Sequence, residues 1–289
     1  MIWQFIVDGL ITGLLYSLLA IGFALVFNTT HIFHIAAAGV YVFAAYMFWW
    51  LAEKLGLPII VAATLAVILT MGLSLLTEAG VYRPLRKKHS SLSAIMVASI
   101  GLMTVIVNLV AMVFGYETKA VGDSSHESFQ FWGLLINPAQ VYQAIVAVIA
   151  ITAFLVLLDN TRFGLTVRAL SSNETLFETL GYNKQKTFSR VFLASGLFIG
   201  LASCSTAYGL GMDPNMGMTV LIYAMVAMII GGNGKFWTCV VGGLALGELQ
   251  SLAVFLFDSS LQDAVTFVLF LGFLLVRPQG LAGYKIRAV

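Results

Sequence analysis

Apolar residues run along this chain in long blocks, and polar residues gather in short stretches between them. Nine blocks stand out: Ile2–Phe27, Ile32–Leu51, Pro58–Thr77, Leu92–Gly115, Ala139–Leu158, Phe188–Tyr208, Met216–Ile230, Phe236–Phe257 and Leu261–Val276. A helix rises about 1.5 Å per residue, so about 20 residues cover the roughly 30 Å of a bilayer's hydrocarbon core. Seven blocks meet that length. Met216–Ile230 and Leu261–Val276 fall short, and are expected to extend into their flanks or to cross a locally thin, protein-lined region. The blocks lack the period-two alternation over about ten residues that marks barrel strands. Lipid admits only helices and closed barrels, because only these satisfy every backbone polar group internally. The pattern predicts an all-α, polytopic transmembrane helical bundle of about nine helices, a single membrane domain over residues 1–289.

The polar stretches set orientation. Basic residues cluster at Arg83, Arg86, Lys87 and Lys88, then at Arg162, Arg168, Lys184, Lys186 and Arg190, at Lys235, and at Arg277, Lys285 and Arg287. With nine spans these all fall on one side, which then holds 13 of the 15 basic residues; Lys54 and Lys119 lie opposite. Eight spans would carry one cluster across. Basic loops stay in the cytoplasm, so the N-terminus is expected outside and the C-terminus inside. The opposite loops carry Glu53, Glu117, Asp123, Glu127, Asp213, Asp258 and Asp263, which is compatible with this orientation.

Two loops are long: Tyr116–Pro138 on the expected outer side and Asp159–Thr187 on the expected cytoplasmic side. Within the second, Ser171-x-x-Glu174 has the form of a capping box. Leu176, Phe177 and Leu180 then share a helical face, and Gly181 can stop the helix. A short amphipathic helix is predicted here. It either lies on the membrane or on its own protein, or presents an apolar knob to a cytoplasmic partner.

Composition agrees with the pattern. Hydrophobic residues make up 60% of the chain and charged residues 10%, and the mean hydropathy is +0.96. Soluble domains are about 45–50% apolar and about 25% charged, so this chain cannot clothe itself for water. The net charge of +2 gives no reason to expect nucleic acid. Cys204 and Cys239 both lie in apolar blocks, with neither a disulfide framework nor metal-ligand spacing. The opening MIWQFIVDGL lacks a basic region and carries Asp8, so the first block reads as a retained helix, not a cleaved signal.

Candidate chemistry is sparse. Gly231-Gly232-Asn233-Gly234-Lys235 fails the phosphate-loop spacing, with Phe236 after the lysine, and reads as a tight turn between helices. His31 and His34 stand three apart with no third ligand nearby, so no metal is expected. The glycosylation triplets at Asn28 and Asn173 fall on the expected cytoplasmic side. Asp8 and Glu248 are the carboxylates at membrane depth, where such groups usually face a cavity or a partner. Small residues four apart at Gly9/Gly13, Gly196/Gly200 and Gly243/Gly247 allow helices to approach closely.

Several segments together resemble a known family. They are Gly13 to Phe27 around Tyr16, Ala20 and Gly22; Arg83-Pro84-Leu85-Arg86; Ser99-Ile100-Gly101-Leu102 with Asn108; Thr161-Arg162-Phe163-Gly164 with Arg168-Ala169; Leu180-Gly181; Ile230-Gly231-Gly232; Gly242-Gly243 through Gly247-Glu248; and Val276-Arg277-Pro278-Gln279-Gly280-Leu281. In this order they resemble the permease subunits of branched-chain amino acid ABC importers, the LivH type, over nearly the whole chain. The stretch His34-Ile35-Ala36-Ala37-Ala38-Gly39 departs from the family's Asn-Phe-Ala-His/Gln-Gly, a departure that bears on selectivity if that stretch touches substrate.

The resemblance implies a bacterial inner-membrane permease that is not itself an enzyme. Its partners would be a second homologous permease, two cytoplasmic ATP-binding subunits that carry the ATP and magnesium, and an extracytoplasmic substrate-binding protein. The chain itself would hold no cofactor. The family's coupling segment falls on Arg168–Gly181, with Leu176, Phe177 and Leu180 entering a groove of the ATPase and Glu174 and Glu178 on its rim. Tyr16, His34, Asn108 and Glu248 are the residues expected near the pathway. The cargo expected is a branched-chain or related hydrophobic amino acid, with urea and short amides as the alternative. A self-sufficient secondary transporter or channel is the rival from another class. Membrane-impermeant maleimide applied to intact cells should label Tyr116→Cys and leave Thr179→Cys unlabelled; labelling of Thr179→Cys from outside would reverse the orientation and remove any ATP-driven reading.

Overall fold

The computed structural model describes residues 2–122, 129–131, 134–232, 236–256, 262–276 and 280. Each of the nine apolar blocks carries a helix. In chain order the helices are α1 (Ile2–Thr30), α2 (Ala37–Trp49), α3 (Ile59–Thr77), α4 (Arg83–Lys87), α5 (Leu92–Phe114), α6 (Pro138–Asn160), α7 (Arg162–Ser172), α8 (Glu174–Thr179), α9 (Lys184–Gly209), α10 (Met216–Gly231), α11 (Phe236–Leu256) and α12 (Gln262–Val276). Short π-helical turns at Trp50–Lys54 and Glu78–Tyr82 prolong α2 and α3. The Tyr116–Pro138 loop is not wholly irregular. Strands β1 (Phe129–Phe131) and β2 (Leu134–Ile136) pair antiparallel there, with Phe129 opposite Ile136, a small exception to the all-helical expectation.

Among the described residues, six helices are long and apolar enough to cross a membrane: α1, α3 with its continuation to Lys87, α5, α6, α9 and α11. The chain is thus a multi-pass membrane protein. Helices α2, α10 and α12 have 13, 16 and 15 residues and are shorter than a full crossing. Asp123, Glu127, Asn233, Lys235, Asp258 and most of the closing Arg277–Gly283 motif lie outside the described residues.

The bundle has an inside and a rim. Some 72% of the most apolar stretch of α1 and 67% of that of α9 is buried, against 22% for α5 and 28% each for α3 and α6. Helices α1 and α9 are therefore the central pillars. What brings α11 onto α1 is a seam of small residues. A Cβ at Gly247 would overlap the backbone of Gly9 and Gly13, and one at Gly243 would overlap that of Ser17. These positions recur every four residues, which places them on one helical face. Close backbone approach supplies the dispersion contacts that apolar lipid cannot drive hydrophobically.

Hydroxyl groups fasten the pillars. Ser195 Oγ donates to the Gly22 carbonyl at 2.7 Å, Ser203 Oγ to that of Tyr41 at 2.6 Å, and Ser74 Oγ to that of Phe192 at 2.7 Å. Gln250 accepts from Tyr16 at 2.7 Å and donates to Thr266 at 2.5 Å, which ties α1, α11 and α12 together. Interhelical bonds of this kind contribute about 0.6 kcal/mol each on average in a membrane.

Gly247→Ala should lower the thermal unfolding midpoint in detergent, by overpacking of about 1–3 kcal/mol, because the added methyl group meets main chain that cannot rotate away. Gly72→Ala, where a Cβ meets nothing within 4 Å, should leave the midpoint unchanged.

Candidate functional site: a helix pair on the basic loops and a polar cavity

The Asp159–Thr187 loop folds into two helices, α7 and α8, where the sequence pattern predicted one. Thr161 caps α7, its Oγ1 accepting from Gly164 N at 3.4 Å. Asn173 caps α8, its Oδ1 accepting from Leu176 N at 2.9 Å. The capping box expected from Ser171 does not form. Ser171 is inside the last turn of α7, and the chain leaves helical geometry at Asn173 (φ −157°, ψ 104°), where the amide still bonds back to Ala169 at 3.2 Å. Asn and Ser cap about equally well, so the break goes to the residue that the α7 hydrogen bonds leave free. Gly181 (φ +82°) ends the segment, with its own amide bonded to the Glu178 carbonyl and that of Tyr182 to Phe177.

The predicted apolar face is split. Phe177 is 3% exposed and packs with Leu170 and Phe188, its ring stacked on Tyr182 at 5.1 Å, whereas Leu176, Leu180 and Tyr182 are 56%, 67% and 56% exposed. Leu176 and Leu180 are one turn apart on one stripe, and Phe177 is rotated about 100° from Leu176. The expected knob of Leu176, Phe177 and Leu180 is therefore an outer pair with an inward anchor. Glu174 and Glu178 do not stand free on a rim. Both bind Lys184 Nζ, at 3.1 and 2.8 Å, and so tie α8 to the start of α9. Arg168 pairs with Asp159 at 2.9 Å on the surface.

Beneath this segment lies a buried carboxylate that the sequence reading passed over. Glu78, fully buried in the π turn after α3, accepts from Arg86 Nη2 at 2.5 Å, from Gln185 Nε2 at 2.5 Å and from Ser189 Oγ at 3.3 Å, with Arg83 Nε at 4.0 Å. The wider π turn places Glu78 and Tyr82, four residues apart, both inward. The Arg86 guanidinium stands over the Phe188 ring, 4.3 Å from its centroid. Phe188 is also the neighbour of Phe177, so α8, α9, α4 and α3 are linked through consecutive contacts. The chain of contacts continues: Tyr82 Oη meets His34 Nδ1 at 2.8 Å and Ser99 Oγ at 2.6 Å, and Ser99 Oγ accepts from Ala36 N at 2.9 Å. The signal for Glu78 in the sequence was a lone acid closing an apolar block, five and eight residues before Arg83 and Arg86.

At the end of the bundle where α1 and α6 begin, a cavity of about 370 Å³ opens between α1, α6, α9 and α10. Its polar wall carries Asp8, Asn137, Gln140 and Gln143, and Tyr16, Tyr41 and Tyr223 stand deeper. Of the four residues expected near a pathway, Tyr16 borders this cavity and the others do not. His34 is fully buried against Tyr82 and Phe192. Asn108 is exposed on the outer face of α5 and bonds its own helix at Thr104 O, at 2.8 Å. Glu248 is half-buried against Gly9 at the α1–α11 seam, with Oε1 lacking a partner. His31 is exposed at φ +53° and apart from His34. Among the described residues no three His, Cys, Asp or Glu side chains converge on a metal position.

The chain belongs to the family described as branched-chain amino acid transport system, permease component, which it matches over residues 5–274. It is 26% identical to the high-affinity branched-chain amino acid transport system permease protein BraD of Pseudomonas aeruginosa, over 97% of this chain and 95% of that one. It is 24% identical to the corresponding permease protein LivH of Escherichia coli strain K12, over 96% and 94%. Its fold matches that of an inward-facing structure described as a metal-chelate type ABC transporter, with a TM-score of 0.53 and 16% identity over 94% of this chain and 85% of that one. At that identity the likeness concerns the fold alone.

Glu78→Leu should loosen the whole loop, since removing one member of a buried ion pair costs about 3–5 kcal/mol. Tryptic cleavage at Arg168, Lys184 and Lys186 should accelerate, with Glu78→Gln intermediate. Arg168→Ala, which breaks only the exposed pair with Asp159, should leave cleavage at Lys184 and Lys186 unchanged.

Proposed function

We propose that this chain is the membrane-spanning permease subunit of an ATP-driven importer of branched-chain or related hydrophobic amino acids. The observation that carries the reading is the exposed pair of Leu176 on α8 and Leu180 at its C-cap, flanked by Tyr182 and anchored through Phe177 and Phe188 to the bundle. An apolar stripe on a short helix outside the spans is what a groove on a soluble partner takes up. Family membership and the named cargo of the relatives support the transport system and its substrate class. The fold shared with an ABC transporter supports ATPases as the partners.

In this reading two cytoplasmic ATPases, which hold the ATP and magnesium, receive α8 of this chain and of a second homologous permease. An extracytoplasmic binding protein delivers the amino acid to the opposite face. In this reading α2, α10 and α12 cross with the six longer helices, and the nine spans put the basic loops and the C-terminus in the cytoplasm and the N-terminus outside. The family likeness supports a bacterial inner membrane as the setting. Closure of the ATPases displaces α8. The Phe177–Phe188 packing, the Arg86 stack and the Glu78 hydrogen bonds pass that displacement to α9, which packs on the α1 pillar, and to α3, which packs on α9. Arg168 and Gly181 shape the segment without touching the groove: the first pairs with Asp159, and the second turns the chain back towards α9.

The double variant Leu176→Asp/Leu180→Asp should insert in the membrane normally, yet fail to co-purify with the ATPase subunits and abolish leucine uptake in proteoliposomes. Phe177→Asp should instead reduce the yield of folded protein. ATPases that remain bound to the double variant would remove the coupling role of α8. Uptake of urea or acetamide in place of leucine would move the cargo to the short amides.

A further inference from the structure

Docking of an ATPase at α8 leaves the polar cavity at the other end of the bundle without a role. Its chemistry is sorted along its depth. Asp8 stands near the mouth, where α1 begins. Gln140 Nε2 donates to Asp8 Oδ1 at 2.8 Å, and Gln4 Nε2 reaches Oδ2 at 3.2 Å. Both amides are held in turn. Gln140 Oε1 accepts from Asn137 N at 3.0 Å within the capping box of α6. Gln4 exchanges two hydrogen bonds with the backbone of Leu135, at 2.9 and 3.0 Å.

Two segments distant in sequence, residues 4–8 and 135–140, thus converge to orient one carboxylate. Among the described residues no Lys, Arg or His lies within ion-pair distance of it. A partly buried carboxylate with neutral partners only loses solvation without gaining a counter-charge, and its remaining lone pairs are open to a cation.

One helical turn inward, Thr12 follows Asp8 on the same face of α1, and Gln143 follows Gln140 on the same face of α6. Beyond them the wall becomes apolar at Leu15, Leu19 and Val220. The floor, about 16 Å along α1 from Asp8 to Leu19, also bears Tyr41, whose buried hydroxyl makes no well-formed hydrogen bond. The volume is at the low end of the roughly 300–1,000 Å³ of small-molecule sites.

We infer that this cavity, within a single permease subunit, binds a zwitterionic α-amino acid with an apolar side chain. The ammonium group meets Asp8, the carboxylate meets the Thr12 hydroxyl and the second amide proton of Gln143, whose first is donated to the Ser205 carbonyl at 2.8 Å, and the side chain points inward to Leu15, Leu19 and Val220. The inference rests on the importer reading for its ligand class and adds to it a resident site inside one bundle.

The test is equilibrium binding of radiolabelled L-leucine to the full chain in lipid nanodiscs. Saturable binding is expected. Asp8→Asn should weaken it by about tenfold or more, the loss of a charged hydrogen bond, and Thr12→Val should weaken it less. Isoamylamine, which keeps the ammonium group, should compete weakly, and isocaproate, which lacks it, should not compete. Absence of saturable leucine binding, wild-type affinity in an Asp8→Asn protein with an unchanged unfolding midpoint, or competition by isocaproate equal to that of leucine would overturn the site. The Leu176→Asp/Leu180→Asp variant separates the two readings. It should bind leucine normally, so loss of ATPase docking leaves the site standing. Conversely, an Asp8→Asn protein that docks ATPases but has lost leucine binding bears on the site alone.

Discussion

A carboxylate without water must be held by donors, and Glu78 is the point at which this protein meets that demand. It lies where α3 gives way to the π turn, fully buried, with Arg86, Gln185 and Ser189 all directed at it. Desolvating a charge is expensive enough that the arrangement holds only if every donor stays in place. That requirement fixes α4 against the start of α9, and with it the position of Phe188, which supports both the Arg86 guanidinium and the anchor Phe177. The geometry of the loop after α6 follows from the needs of a group that the loop does not itself contain.

Helix α1 serves two faces at once. Gly9, Gly13 and Ser17 recur every fourth residue and meet α11 backbone to backbone. Asp8, Thr12, Leu15, Tyr16 and Leu19 lie along the neighbouring stripe and border the cavity. Packing with an absence of side chain on one side and a graded series of side chains on the other is possible because a helix turns 100° per residue. Tyr16 joins the faces. Its ring lines the cavity while its hydroxyl donates to Gln250 of α11, so the cavity wall is fastened to the seam.

Much of this was legible in the residues, for reasons of scale. Blocks of about 20 apolar residues constrain a chain by length alone, and each of the nine became a helix. Local break points were harder. Ser171 and Asn173 are both sound caps, and only the hydrogen bonds of α7 chose between them. Which side chains border a cavity was hardest to read, because it depends on which way a helix is rotated in the bundle. Asn108 and Tyr16 are both polar residues inside apolar blocks, yet α5 turns Asn108 outward and α1 turns Tyr16 to the cavity. A mean over a block contains no such rotation. Glu78 escaped notice because its partners Gln185 and Ser189 are more than a hundred residues away in sequence.

The strengths of the contacts around α8 also decide how a push on it would travel. The Lys184 pairs with Glu174 and Glu178 lie on the surface, where such pairs contribute about 0–1 kcal/mol and weaken in salt. Phe177 is buried, and truncating a buried Phe costs about 3–5 kcal/mol. The Glu78–Arg86 pair is costly to break once buried. A load applied to Leu176 and Leu180 therefore exceeds the ion pairs first. The path that survives runs through aromatic packing, Phe177 to Phe188, then through the guanidinium to the carboxylate at the foot of α3. In the proposed coupling, the acidic residues of α8 would set its resting angle and the aromatic residues would carry the force.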